Sequence, residues 1–112
     1  MSIFDLNFNL VKNIGPIIKQ TFNHENYAVY APNVVKIKDN FYLMLYSAWK
    51  KDPVSGDICY ALSRDLVKWK KRNKKVIVKE FDYEARCCSE PFLYIDSEGW
   101  KCIIYEASDY DK

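Results

Sequence analysis

Five side chains stand where apolar runs begin or end, and each brings a different chemistry. Glu90 directly precedes Pro91 and the run "PFLYI". A carboxyl at the mouth of a strand can donate or accept a proton, if its surroundings tune it. The plainer alternative is a solvated acid that happens to start a strand. Asn33 follows Pro32, and its amide can bond a hydroxyl or an acid but carries no charge. Tyr30 precedes the same proline by two residues, with an aromatic face for stacking or for core packing. Trp49 ends the run "FYLMLYSA" and begins the polar stretch before Pro53. It suits either a pocket rim or a loop anchor. His24 is the single histidine. No Cys or His lies at ligand spacing from it, so no metal role is expected, while its loop could bring it near Tyr30.

Other chemistries find no footing. The four cysteines are Cys59, Cys87, Cys88 and Cys102, with no Cys-x-x-Cys pair, so zinc-site spacing is missing. They read as reduced, buried thiols acting as small apolar residues. There is no Gly-rich phosphate loop, no Gly-x-Ser-x-Gly elbow and no His-Glu-x-x-His, and no cofactor is expected. Net charge is +2, too small to argue for nucleic acid or an anionic membrane. The run "KWKKRNKK" reads as a solvated outer edge, whose lysines discourage edge-to-edge pairing. No apolar run approaches the roughly 20 residues of a membrane span. No signal-peptide pattern opens "MSIFDLNFNLVKN", which leads to the expectation of a soluble, cytoplasmic protein.

The elements that must position these residues are strands. "NVVKI" alternates and is β-branched. "FYLMLYSA" is almost wholly apolar, as in a strand covered on both faces. With "KDN" as the turn between them, the two read as a hairpin. "DICYALS" is a third strand and "VIVK" a short fourth. "SRDLVKW" is an ordered connection pinned by Leu66 and Trp69. The pattern then restarts, with "PFLYI" a strand, "DSEG" a turn and "WKCIIYEAS" a strand. Pro32 and Pro91 are 59 residues apart, and at the same offset Asn40 meets Gly99, Phe41 meets Trp100, Leu45 meets Ile104 and Tyr46 meets Tyr105. A repeated antiparallel four-stranded unit with doubly buried middle strands predicts an all-β fold of β-propeller blades. A β-sandwich is the alternative.

At "YAPNVVKIKDNFYLMLYSA" the chain resembles the five-bladed propeller glycoside hydrolases, families 43 and 32 and their relatives. Blades there begin Trp-Ala-Pro-Asp and continue with an apolar strand, a polar turn and an aromatic strand. "GDICYALSRDLVKW" is similar to the later part of such a blade, with Ala61, Ser63, Asp65 and Trp69 on its motif. The likeness runs over residues 14–112. It implies an incomplete five-bladed propeller within 1–112, with the end of a preceding blade at 14–31, one blade at 32–80 and the start of the next at 89–112.

The resemblance implies hydrolysis of O-glycosidic bonds, by carboxylates that different blades bring to a central channel. Glu90 takes the place of an acid beside a blade-initial proline. Tyr30 stands where the family often has Trp, for stacking on a sugar ring, and Asn33 where it carries aspartate. An amide there cannot supply that negative charge. Asn33, Tyr30, His24 and Trp49 are the implied carbohydrate contacts. Asp5 lacks the proline context, so no partner carboxylate is assigned. The alternative to a hydrolase is a non-catalytic carbohydrate-binding or scaffold propeller. Either way, further blades of a longer chain, or self-association, would have to cover the apolar faces.

Overall fold

The structure is a computed structural model that describes residues 1–110. Asp111 and Lys112, within the expected start of the next blade at 89–112, lie outside the described residues. Among the described residues, eight strands and two single-turn 3₁₀ helices follow one another. The order is β1 (Ser2–Phe4), β2 (Leu10–Asn13), a 3₁₀ turn (Asn23–Glu25), β3 (Ala28–Lys38), β4 (Phe41–Lys50), β5 (Ser55–Ser63) and β6 (Trp69–Lys75). A second 3₁₀ turn (Asp82–Glu84), β7 (Cys87–Ile95) and β8 (Lys101–Ser108) complete it. β1 and β2 form a separate small hairpin, while β3 to β8 share one sheet.

The fold is predominantly β, as expected. β3, β4, β5 and β6 pair antiparallel with their neighbours in chain order. β7 and β8 form an antiparallel hairpin that joins β5 by one parallel bridge, Gly56 to Cys87. The sheet is therefore mixed and open, where purely antiparallel pairing was expected. Among the described residues no helix is long and apolar enough to cross a membrane.

The hairpin readings hold in detail. Asn40, in the β3–β4 turn, takes the left-handed backbone at φ 56°, and Gly99 takes it at φ 87° in the β7–β8 turn. Asparagine and glycine are the residues that accept this conformation most readily. In the second turn the Asp96 carboxylate accepts the N–H groups of Glu98 and Trp100, each at 2.9 Å. "SRDLVKW" is the ordered connection expected. Asp65 Oδ1 accepts the Val67 and Lys68 N–H groups, and the Trp69 indole N–H donates to the Leu66 carbonyl at 2.9 Å.

Four expectations fail. The fourth strand is not "VIVK" but the basic run, Trp69–Lys75, and residues 76–79 form an irregular exit. Trp69 and Lys71 alternate inward from β6, and that period of two decided the pairing where apolar content did not. The edge is also not wholly solvated. Lys71 Nζ lies 2.5 Å from the buried Glu25 carboxylate, and Lys75 Nζ lies 2.9 Å from the buried Asp57 carboxylate. "WKCIIYEAS" was expected to be doubly buried, yet among the described residues no strand pairs beyond β8, and Ile104 is 63 % exposed. The strand bounds shift too. β3 begins at Ala28, ahead of Pro32, and β7 begins at Cys87.

β4 is covered on both faces, with Met44 through Trp49 all buried. On one face Leu45 and Ile58 pack with Cys88 and Leu93, so β7 lies against the β4–β5 surface. On the other face Tyr46, Ala48, Cys59 and Ala61 pack with Ile18, Val29 and Trp69. Burying a leucine such as Leu45 is worth about 1.5–3 kcal/mol, and these two layers hold β3–β5 as the platform on which β7 is set.

Candidate functional site at the β3–β4 and β7–β8 seam

The 59-residue repeat extends further back than the prolines. Phe22 and Phe81 open the two 3₁₀ turns, and Glu25 and Glu84 close them. Both glutamates are fully buried. Glu25 Oε2 accepts the N–H groups of Thr21 and Phe22, and Oε1 accepts the Tyr46 hydroxyl at 2.6 Å. Glu84 Oε2 accepts the N–H groups of Glu80 and Phe81, and Oε1 accepts the Tyr105 hydroxyl at 2.5 Å. Burial opposes charge on Glu25, but Lys71, Tyr46 and the two amides outweigh it, so its pKa is lowered. For Glu84 the Tyr105 hydroxyl is the largest cause, and its pKa is also lowered. These acids clamp the chain as it enters β3 and β7.

Each clamp leads into a β-bulge. β3 slips register against β4 between Tyr30 and Asn33, and β7 slips against β8 between Ser89 and Phe92. Ala31 (φ 51°) and Glu90 (φ 50°) sit in these bulges with the left-handed backbone. This conformation is uncommon for residues with a Cβ, and bulges re-aim side chains and concentrate next to functional sites. The Glu90 N–H donates to the buried Ser47 hydroxyl at 2.7 Å, and the Leu93 N–H donates to Asn33 Oδ1 at 2.9 Å. Two side chains of the first hairpin thus fix the backbone of the second on either side of Pro91.

Beside this seam lies a cavity of about 350 Å³, lined by Tyr27, Ala28, Tyr30, Trp49, Val54 and Arg86. Tyr30 is 41 % exposed and Trp49 is 9 % exposed, and their rings stack with centroids 6.4 Å apart. The Arg86 guanidinium lies over the Trp49 ring, 5.7 Å from its centre. Trp49 can lie here because residue 56 is glycine, since a Cβ would come within 2.8 Å of the indole and 3.0 Å of Cys87 Cβ. The indole N–H is buried and has no acceptor at normal hydrogen-bond geometry. Burial pushes the Tyr30 hydroxyl up, the nearby indole N–H works against that, and Glu90, Cys87 and Glu106, in that order, add to the rise. Glu106 is paired in register with Ser89, the residue before Glu90.

Tyr30 and Trp49 are therefore brought together, and Glu90 is not among the residues lining their cavity. Glu90 is exposed on its bulge, and Trp49 is both wall and anchor. Asn33 is close, but its Oδ1 is committed to Leu93. His24 is elsewhere, stacked on Phe22 at 5.4 Å with its Nε2 buried and unbonded, and it is not among the residues lining the seam cavity. Asp5 caps its own turn, accepting the Asn7 and Asn9 N–H groups. The four cysteines are free. Burial raises the Cys59 and Cys88 thiols to about 12 and about 11, so neither is a nucleophile near neutral pH. Among the described residues no group of three or more His, Cys, Asp or Glu could hold a metal ion.

Sequence reasoning missed Glu106, Arg86 and Tyr27, along with the clamps Glu25 and Glu84. The signal was present in the offset. "TFNHEN" and "EFDYEA" align at 59 residues on Phe and Glu, and continuing from there pairs Tyr27 with Arg86, Ala31 with Glu90 and Ser47 with Glu106. Comparison with family models, curated proteins and solved structures finds no match to this chain.

Proposed function

We propose that this chain is part of a five-bladed propeller of the glycoside hydrolase kind, and that its seam binds carbohydrate. In this reading β3–β6 are one blade and β7–β8 are the first half of the next. Glu90 is the acid that protonates the glycosidic oxygen, Glu106 is the neighbouring carboxylate, and Tyr30 offers its ring to the apolar face of a sugar. Further blades, or a second copy, cover the apolar residues left open on β7–β8, including Phe92, Trp100 and Ile104.

The observation that carries the reading is an aromatic-lined cavity to which both repeats contribute. The first repeat supplies Tyr27, Tyr30 and Trp49 and the second supplies Arg86, while Glu90 and Glu106, outside that lining, lie near enough for their charges to act on Tyr30. Aromatic faces beside carboxylates suit a ligand that is apolar on its ring face and rich in oxygen at its edge. Asn33 favours a second reading, a non-catalytic carbohydrate-binding propeller, because its amide is spent on Leu93 and adds no charge.

Amide and indole chemical-shift mapping with a panel of plant oligosaccharides, followed by turnover of aryl glycosides, separates the two. Saturable shifts at Tyr30, Trp49 and Glu90, with turnover that Glu90→Gln abolishes, support the hydrolase. Binding without turnover supports the second reading, and no binding overturns both. Turnover that persists in Glu90→Gln removes Glu90 as the acid.

A further inference from the structure

We propose that Arg86 makes the seam selective for acidic sugars, by holding the carboxylate of a uronic acid where its guanidinium lies over Trp49 in the cavity. This deepens the reading above and rests on it. Arg86 is fixed at the entry to β7. Its N–H donates to the Ser108 carbonyl at 2.9 Å, and its carbonyl accepts the Gly56 N–H at 3.1 Å and Lys79 Nζ at 3.0 Å. Its side chain is half-buried, lines the cavity and forms no ion pair with a described residue.

Neighbouring cations are spent on buried carboxylates: Lys71 meets Glu25, and both Lys75 and Lys79 meet Asp57. A half-buried guanidinium laid over an indole has lost part of its water and keeps a planar fork of donors, which matches a carboxylate in two parallel hydrogen bonds. The cavity therefore sets a cation among aromatic walls. Arg86 stands over Trp49, and Tyr27 and Tyr30 line the wall beside it. A uronic acid residue presents one anionic group and one apolar ring face, in keeping with that pairing.

The test is calorimetric titration of the whole chain with trigalacturonate and a glucuronate-bearing xylotriose, each against its neutral methyl ester. The expected result is at least a ~10-fold preference for one acid over its ester, from a charge-assisted pair. In Arg86→Gln that preference disappears, while ester affinity stays within about two-fold, as for loss of a single charged contact. Arg86→Lys keeps the charge but not the fork and falls between. Should Arg86→Gln fail to fold by circular dichroism, Arg86→Lys and the loss of acid binding with added salt carry the test. Equal affinity for acid and ester, or a preference that survives the substitution, overturns the inference while leaving carbohydrate binding standing. Absence of binding by every probe overturns both.

Discussion

Leu45 and Ile104 hold the same position in two successive repeats, yet Leu45 is 2 % exposed and Ile104 is 63 % exposed. Tyr46 and Tyr105 compare in the same way, each bonded to the glutamate of its own 3₁₀ turn, the first buried and the second partly open. The local machinery is the same in both regions: turn, clamp, bulge, hairpin. What differs is the neighbour. β4 has β5 and β6 beyond it, and β8 has none among the described residues. Local sequence builds the hairpin, and only the next strands turn an apolar hairpin into a core.

The comparison breaks most visibly at its centre. Leu45→Ala is expected to cost about 2–5 kcal/mol, as for a buried leucine. Ile104→Ala, at the equivalent place, should stay within about 0.5 kcal/mol. Urea unfolding of both variants measures the gap. Equal losses would mean that β8 is covered in solution, by a second copy or by added strands, and repeating the measurement across protein concentrations would expose self-association.

The clamps come next. Glu25→Gln keeps the shape but leaves Lys71 mostly buried without its anion, at a cost on the order of 3 kcal/mol. Glu84→Gln breaks no ion pair and should cost less. Both carboxyls titrate below the ordinary 4.5 in the fold. A lowered folded pKa gives stability that is complete above that value and is lost as pH falls through the folded one. The acid limb of the stability profile should therefore flatten in each variant, more in Glu25→Gln. An unchanged limb would remove the clamps from the account of acid unfolding.

Those clamps also show what was legible from sequence. The hairpins were, because apolar alternation and turn residues specify them locally. β6 was not, because its inward side chains are Trp69 and Lys71, and a lysine that reaches a buried glutamate looks like a solvated one until the fold is known. The seam was half legible. Proline, aromatic and acid mark Tyr30 and Glu90, but Arg86 and Glu106 join them only through the bridge at Gly56–Cys87 and the register of β7 on β8. His24 drew notice as the single histidine and Asn33 as the residue after Pro32; the fold stacks His24 on Phe22 and turns the Asn33 amide oxygen to the Leu93 N–H.

Gly56 sits where the two regions touch, and an added methyl there must displace Trp49 or Cys87. Gly56→Ala should cost about 1–3 kcal/mol by overpacking. Its wider sign is a loosened seam, read as a shift in the fluorescence of Trp49. Gly99→Ala strains a turn of the second hairpin without touching the seam and should leave that emission unchanged. If both variants lose stability while neither moves Trp49, the seam is not the tight contact described.

The smallest effect is also the one that separates structure from function. Ala31 and Glu90 carry the same left-handed backbone one repeat apart, which costs a residue with a Cβ roughly 1–2 kcal/mol. Glycine relieves that cost but is more flexible when unfolded, losing about 0.5–1 kcal/mol in return. Ala31→Gly and Glu90→Gly should therefore both be neutral or more stable by up to about 1 kcal/mol. On stability alone the two sites are interchangeable. In carbohydrate binding they part: Ala31→Gly leaves it intact, and Glu90→Gly weakens it because the bulge no longer holds a carboxylate at the seam. A strained residue that can be relaxed without penalty except to function is retained for what its side chain does. If Glu90→Gly gains stability and binds as before, the bulge at 90 is only a repeat of the bulge at 31, and the seam loses its acid.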